Sequence, residues 1–530
     1  MPDLYQARLQ RLTNPESYPF FTKIHRGIEK EGLRVTPDAS IAQTEHPKAL
    51  GSALTHSSIT TDYSEALLEF ITPVFTQIDN SIDYLNDLHS FTVRHIEDEY
   101  IWPASMPCQL AGDSSIPIAQ YGSSNIGQMK HVYRQGLAYR YGRTMQSIAG
   151  IHYNFSMPDE FWPYCQKLWG DKGDVQAFKS QCYFDLIRNF RRHSWLLIYL
   201  FGASPVLDSS FIDKKKSHKL NELTDQTFGL PFATSLRMSD LGYQSKAQED
   251  LNISYNDLES YIQGVTTAIS SCYPNYEEIG VKVNGSYRQL NTNILQIENE
   301  YYSDIRPKRV TQADEKPMDA LRERGVEYVE VRILDTNPFL PVGIDAQQIR
   351  FLDAFLLYCL LSNSPELTPQ ECEEIKNNQQ KIVLEGRKPH LELNKKGQSV
   401  DVKVAAKSLL TEVQAMSNLL DKAHGEQSNA PFNNKNNMYD QSIKAQIDKV
   451  ENSELTPSGL MMKDVENGNE FIESMLIQVK KHQAHFSERG LSDAMDTQLQ
   501  HETTESFRQQ HQLETNDESS FEHFLYRQSM

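Results

Sequence analysis

Gly27-Ile28-Glu29-Lys30-Glu31-Gly32-Leu33-Arg34-Val35 is the stretch on which the fold turns. Side chains alternate along a strand, so in extended form Glu29, Glu31, Leu33 and Val35 share one face. Carboxylates on an apolar-lined face are costly to bury unpaired, and they either protonate or bind a cation. A divalent metal is the first reading. An E-K-E run also occurs on solvated helices and edge strands, so the rest of the chain has to decide.

Other segments between residues 25 and 335 alternate in the same way. Residues 150–156, GIHYNFS, put His152, Asn154 and Ser156 on one face and Ile151, Tyr153 and Phe155 on the other. Residues 326–334 set Val329, Val331 and Ile333 against Tyr328, Glu330 and Arg332. Residues 291–300 read as a further strand, with Gln296, Glu298 and Glu300 on one face. Long strands without regular crossover helices predict an antiparallel sheet with one polar, cupped face, and the remaining sequence is helical in pattern, so the class is α+β. From about residue 403 Val404, Leu409, Leu410, Val413, Leu419 and Leu420 form one stripe of a helix. The expected division is a catalytic body over 1–402 and a helical part over 403–530. Within the latter, the Asn-rich segment 425–438 reads as a flexible loop, 467–487 and 490–512 as polar helices, and the last twenty residues as weakly ordered.

The 530 residues carry 52 Lys and Arg against 71 Asp and Glu, a net charge of -19. That field repels phosphate backbones and anionic lipid, which argues against nucleic acid and membrane as partners. Small anions remain admissible where local cations reverse the field. The longest apolar run, 195–203, is nine residues, about half of the roughly 20 that span a bilayer. The six cysteines show no C-x-x-C spacing and the first twenty residues no apolar signal core, so a reducing cytoplasmic location is expected.

The chemistry-bearing residues are mostly acids and arginines. Glu69 sits between Leu68 and Phe70 in an apolar segment that also holds Asp62. Glu29, Glu31, Asp62, Glu69 and Glu330 exceed what one Mg2+ takes, with His152 as a further ligand, so two or three ions are expected. Such a set suits transfer of the γ-phosphate of ATP onto a carboxylate. Arg134, Arg237, Arg332, Arg306, Lys308 and Arg309 are the cationic candidates for carboxylate and phosphoryl groups. No Walker loop, Rossmann glycine pattern or G-x-S-x-G elbow occurs.

At these residues the chain resembles the proteobacterial-type glutamate–cysteine ligase family. The blocks are RGIEKEGLRV, HPKALGSALTHSSITTDYSEALLEFITP, WPASMPC, IAGIHYNFSMP, LFGASP, ATSLRMSDLGY, LQIENEYY, IRPKR, VEYVEVRILDTNPF and LEGRKP, in order over residues 20–390. The resemblance implies a glutamine-synthetase-like funnel of antiparallel strands. The implied reaction joins L-glutamate to L-cysteine at the expense of ATP through a γ-glutamyl phosphate, the first step of glutathione biosynthesis. It also implies that Glu29, Glu31, Asp62, Glu69, His152 and Glu330 bind Mg2+, with Mn2+ as an alternative ion. Tyr133, Arg134 and Tyr243 correspond to the cysteine site, and Arg237 and Arg332 face the phosphoryl group and glutamate. Arg306, Lys308 and Arg309 lie on the nucleotide side. A monomer and feedback inhibition by glutathione are family expectations. The competing readings are a sister ligase that uses another amine and a silent protein that binds glutamate or nucleotide.

Overall fold

Strand β1 (His25–Val35) runs the full length of the opening motif. In the computed structural model, which describes residues 4–212, 218–241, 246–249, 251, 253–312, 315–427 and 437–529, it lies at the centre of the main sheet. The other strands are β2 (Ile59–Thr61), β3 (Leu67–Ile71), β4 (Tyr100–Ile101), β5 (Ile151–Ser156), β6 (Ile305–Lys308) and β7 (Tyr328–Leu334). Among the described residues seven strands form this sheet in the order β6–β7–β5–β1–β3–β2, with β4 on the end of β1. Every pairing is antiparallel. Register decides what meets: Glu29 stands opposite His152 across β1–β5, Glu31 opposite Glu69 across β1–β3, and Glu330 opposite Arg306 across β7–β6. Residues far apart in sequence thus share one polar face, and the sheet joins helices in the expected α+β arrangement.

The opposite face is the core. Ile28, Phe70, Tyr153, Phe155, Val329 and Val331 are all fully buried there. Helices α1 (Ile78–Val93), α2 (Asn125–Tyr141), α3 (Val175–Phe201), α4 (Ala346–Leu361), α5 (Val402–Gln427), α6 (Met438–Glu451), α7 (Phe471–Arg489), α8 (Asp493–Asn516) and α9 (Phe521–Ser529) surround the sheet. The nine-residue apolar run falls at the end of α3, where Leu196 and Leu200 are fully buried. No helix among the described residues is long and apolar enough to cross a membrane. One apolar cluster takes in Leu409, Leu410, Val413, Leu419 and Leu420 of α5 together with strand residues of the sheet. Val404 leaves the anticipated stripe and is exposed.

Two further readings change, and a third falls mostly outside the described residues. Residues 291–300 form an irregular segment ending in a turn of 3-10 helix at Glu298–Glu300, not a strand. Leu290 N donates to Gln296 Oε1 and Gln296 N to Glu300 Oε2, so side chains take the backbone donors that a ladder needs. The final residues carry a helix, α9. Of the segment 425–438, Gly425 to Gln427 belong to α5 and Met438 opens α6, while 428–436 lie outside the described residues.

The apolar face also holds charges that alternation does not anticipate. Arg26 forms a forked pair with Asp353 of α4, with Nη2 2.7 Å from Oδ2, and Tyr153 donates to the same carboxylate at 2.7 Å. Lys30 Nζ lies 2.9 Å from His89 Nε2, and burial lowers the lysine pKa to about 7. All six cysteines are free thiols, and Cys108, Cys165, Cys182 and Cys359 are buried.

Helix α7 packs on α1, stacking Phe486 on His89 with 5.1 Å between ring centroids. His482 of α7 lies 2.8 Å from the Pro338 carbonyl, and burial lowers its pKa to about 4. The unfolded chain therefore binds a proton between about pH 6.5 and 4 that the native state refuses. This contribution to stability is complete above pH 6.5 and is lost on acidification, by about 3 kcal/mol at pH 4. The substitution His482→Gln keeps a donor for Pro338 and is expected to flatten that decline in urea melts. An unchanged slope refutes it.

Candidate active site

The polar face of the sheet gathers its acids around one imidazole. His152 Nδ1 lies 2.9 Å from Glu29 Oε2 and 3.9 Å from Glu330 Oε1, and His152 Nε2 lies 3.9 Å from Glu31 Oε1. Asn154 donates to Glu29 Oε1 at 2.9 Å, and Gly150 N donates to Glu31 Oε2 at 2.6 Å. One ligand atom each from Glu29, His152 and Glu330 falls within 4.8 Å of the other two. Such a set of two carboxylates and an imidazole fits a divalent ion.

Their electrostatics divide the acids into two kinds. Burial pushes Glu330 up, yet Lys308, Arg332, His152 and Arg306 together hold it well below the usual carboxylate range. Glu29 is likewise lowered: burial and Glu330 push it up, but the His152 hydrogen bond and the charges of His152 and Lys308 together outweigh them. Glu31 is raised by burial and by Asp62. Glu69 is raised furthest, by burial and then by Glu29, Asp62 and Glu31. Buried carboxylates that repel one another want a cation between them, which is the second indication of a metal.

Cations ring the acids. Arg332 Nη1 is 3.3 Å, Lys308 Nζ 3.7 Å and Arg306 Nη1 4.0 Å from Glu330. Arg237 reaches the face from a turn of 3-10 helix, donates to the Arg332 carbonyl at 2.9 Å and lies 3.6 Å from Asp335. A Cβ at Gly150 would stand 2.2 Å from Arg237 Nη2, so glycine is required for this approach.

A cavity of about 810 Å³ opens over this face. Glu31, Asp62, His152, Arg237, Arg306 and Arg332 line its floor, and Tyr133 and Arg134 of α2 line one wall. Arg134 is held by its own bonds: Nε donates to the Asp62 carbonyl and Nη1 to the Lys130 carbonyl at 3.0 Å, while its guanidinium lies 4.6 Å from the centre of the Tyr121 ring. Arg309 stands apart from the cavity lining, bonded to the Arg324 carbonyl and 3.5 Å from Glu327. Tyr243 lies outside the described residues.

Several supporting groups escape a reading of the sequence alone. Asp335 fixes Arg237 while accepting bonds from Ser204 and Ser235. Glu300 is paired with Arg140 at 3.1 Å in the cavity wall. Asp335 follows the β7 motif directly, which was a usable signal; the partner of Glu300 sits 160 residues away and had none.

The profile of the glutamate–cysteine ligase family matches residues 9–382. The glutamate–cysteine ligase of Alcanivorax borkumensis is 50% identical over 526 residues, 98% of this chain and 98% of that protein. That of Pseudomonas aeruginosa (strain UCBPP-PA14) is 49% identical over 99% of this chain and 98% of that protein. The solved glutamate–cysteine ligase of Francisella tularensis, in complex with AMP, superposes with a TM-score of 0.88 at 36% identity, covering 96% of this chain and 97% of its own. A bifunctional glutathione synthetase from Pasteurella multocida shares the fold, with a TM-score of 0.70 at 23% identity over 92% of this chain and 55% of its own. With that coverage and identity, this chain belongs to the glutamate–cysteine ligase family.

Proposed function

We propose that the protein joins the γ-carboxylate of L-glutamate to the amine of L-cysteine with ATP, giving γ-glutamylcysteine, ADP and phosphate, the first step of glutathione biosynthesis. The observation that carries the site assignment is the Glu29–His152–Glu330 cluster, whose His152 lines the cavity together with Arg237 and Arg332. A carboxylate is a poor electrophile, and phosphorylation turns one of its oxygens into a leaving group. Glu29, Glu31, Asp62, Glu69, His152 and Glu330 hold two or three Mg2+, or Mn2+, which supply the positive charge that phosphoryl transfer needs.

The chain's own groups do the rest. Arg237, anchored by Asp335, and Arg332, ion-paired with Glu330, present fixed guanidinium groups to the transferred phosphoryl and the glutamate. Lys308 and Arg306 extend that positive rim on the nucleotide side. Tyr133 and Arg134 take the cysteine, Arg134 matching its carboxylate and burial keeping the Tyr133 phenol protonated as a donor. We assign the same cysteine-side role to Tyr243. Residues 1–402 are taken as the catalytic body, and the protein as a cytoplasmic monomer inhibited by glutathione, which carries the same γ-glutamyl and cysteinyl parts.

The test is Mg2+-dependent phosphate release from ATP with glutamate, adding L-cysteine or L-2-aminobutyrate and detecting the dipeptide. Dipeptide with cysteine is expected. Phosphate release that ignores cysteine and follows another amine would make this a sister ligase, and no ATP turnover would favour a silent binding protein.

A further inference from the structure

Helix α8 buries little: Leu499 and Ser506 are its buried residues. Even so, α8 and the turn after it grip two distant loops. In the first, Ser52 N donates to Ser506 Oγ at 2.9 Å and Thr55 Oγ1 to the Ser506 carbonyl at 2.5 Å. In the second, Ser123 N donates to Glu514 Oε1 at 2.8 Å and Asn125 N to the Asp517 carboxylate. Each loop has a glycine of positive φ beneath the helix, Gly51 at 86° and Gly122 at 77°. A Cβ would stand 2.7 Å from Ser506 Oγ at the first and 2.2 Å from Gln510 Nε2 at the second. The loops are thus shaped to receive the helix.

Both loops lead straight into the site. The first enters β2 and then Asp62; the second enters α2, which carries Tyr133 and Arg134. Between them Tyr121 donates to the Thr61 and Asp62 carbonyls at 2.8 and 2.9 Å, under the Arg134 guanidinium. The far end of α2 is fixed separately by the buried Arg140–Glu300 pair. The near end exposes the backbone N–H groups of a helix start, and Glu514 and Asp517 bring two carboxylates to it.

We propose that α8 and the turn that follows it are a positioning element for the acceptor side of the cavity, setting where Asp62, Tyr133 and Arg134 stand relative to the sheet. The inference rests on the reading of Tyr133 and Arg134 as the cysteine side. Ser506, Glu514 and Asp517 touch no reacting atom and act through the two loops.

The test uses full-length Glu514→Ala/Asp517→Ala and Ser506→Ala, with Glu514→Asp and Asp517→Glu as conservative controls. Steady-state kinetics in each substrate are read beside amide hydrogen exchange of residues 51–61 and 121–134. Losing the external cap is expected to raise KM for cysteine roughly three- to tenfold, with KM for glutamate and ATP within about twofold. Exchange in both loops rises, and the conservative variants recover most of the effect. Equal changes in all three KM values, or an unchanged KM for cysteine despite faster exchange, overturn the inference. Arg134→Gln separates the two levels: if it too leaves KM for cysteine unchanged, the cysteine-side reading fails; if it raises KM while the α8 variants do not, only the positioning role falls.

Discussion

Replacing Glu330 with Gln is expected to cut glutamate-dependent phosphate release by a factor on the order of 10²–10³ and to lower stability by a few kcal/mol. The first effect follows from taking a charged oxygen out of the Glu29–His152–Glu330 cluster. The second follows from Lys308, Arg332 and Arg306, which keep their charges around a neutral amide. Glu330 is held well below its ordinary pKa, so its contribution is complete above about pH 4.5 and disappears as pH falls through the lowered native value. The stability gap between variant and parent should therefore narrow in acid. Glu29→Gln, whose side chain meets His152 and Asn154 instead of a ring of cations, is expected to lose comparable activity with a smaller change in stability. Phosphate release and urea melts on both variants decide it. Near-normal turnover in the pair would remove the metal assignment, and lost turnover with unchanged stability in Glu330→Gln would show that the cations are compensated elsewhere.

Asp353→Ala should have the largest effect on the fold, costing about 3–5 kcal/mol. It leaves the guanidinium of Arg26, itself 1% exposed, without its counter-charge and removes the acceptor of the Tyr153 hydroxyl. Tyr439 of α6 reaches the same carboxylate at 3.4 Å, so the damage extends from the sheet to the helices behind it. Because the penalty is that of an orphaned charge, Arg26→Met/Asp353→Leu should recover most of it. Chemical denaturation of the single and double variants gives the cycle. A double variant as unstable as Asp353→Ala would mean that the hydrogen bonds, not the charge, carry the loss.

Alternation made β1, β5 and β7 legible, because one face of each had to be wet and the other dry. Pairing was not legible: nothing local in the sequence says that Glu29 faces His152. The acids and Arg237 could be named from their surroundings, whereas Asp335 and the Arg140–Glu300 pair work through contacts more than ninety residues apart. Lys30 and Arg26 broke the pattern because their partners, His89 and Asp353, come from helices. Residues 291–300 misled because Gln296 and Glu300 satisfy backbone donors that a strand would have paired.

The free thiols take on a different meaning for a protein assigned to thiol synthesis. Exchange with cystine or an oxidised peptide needs a thiolate, and burial raises the pKa of Cys108, Cys165, Cys182 and Cys359. Those four sulfurs are protonated and out of reach, so the protein can work among disulfides without forming mixed ones inside its core. Cys272 is exposed and Cys372 lines the cavity, and alkylating reagents should mark these two first.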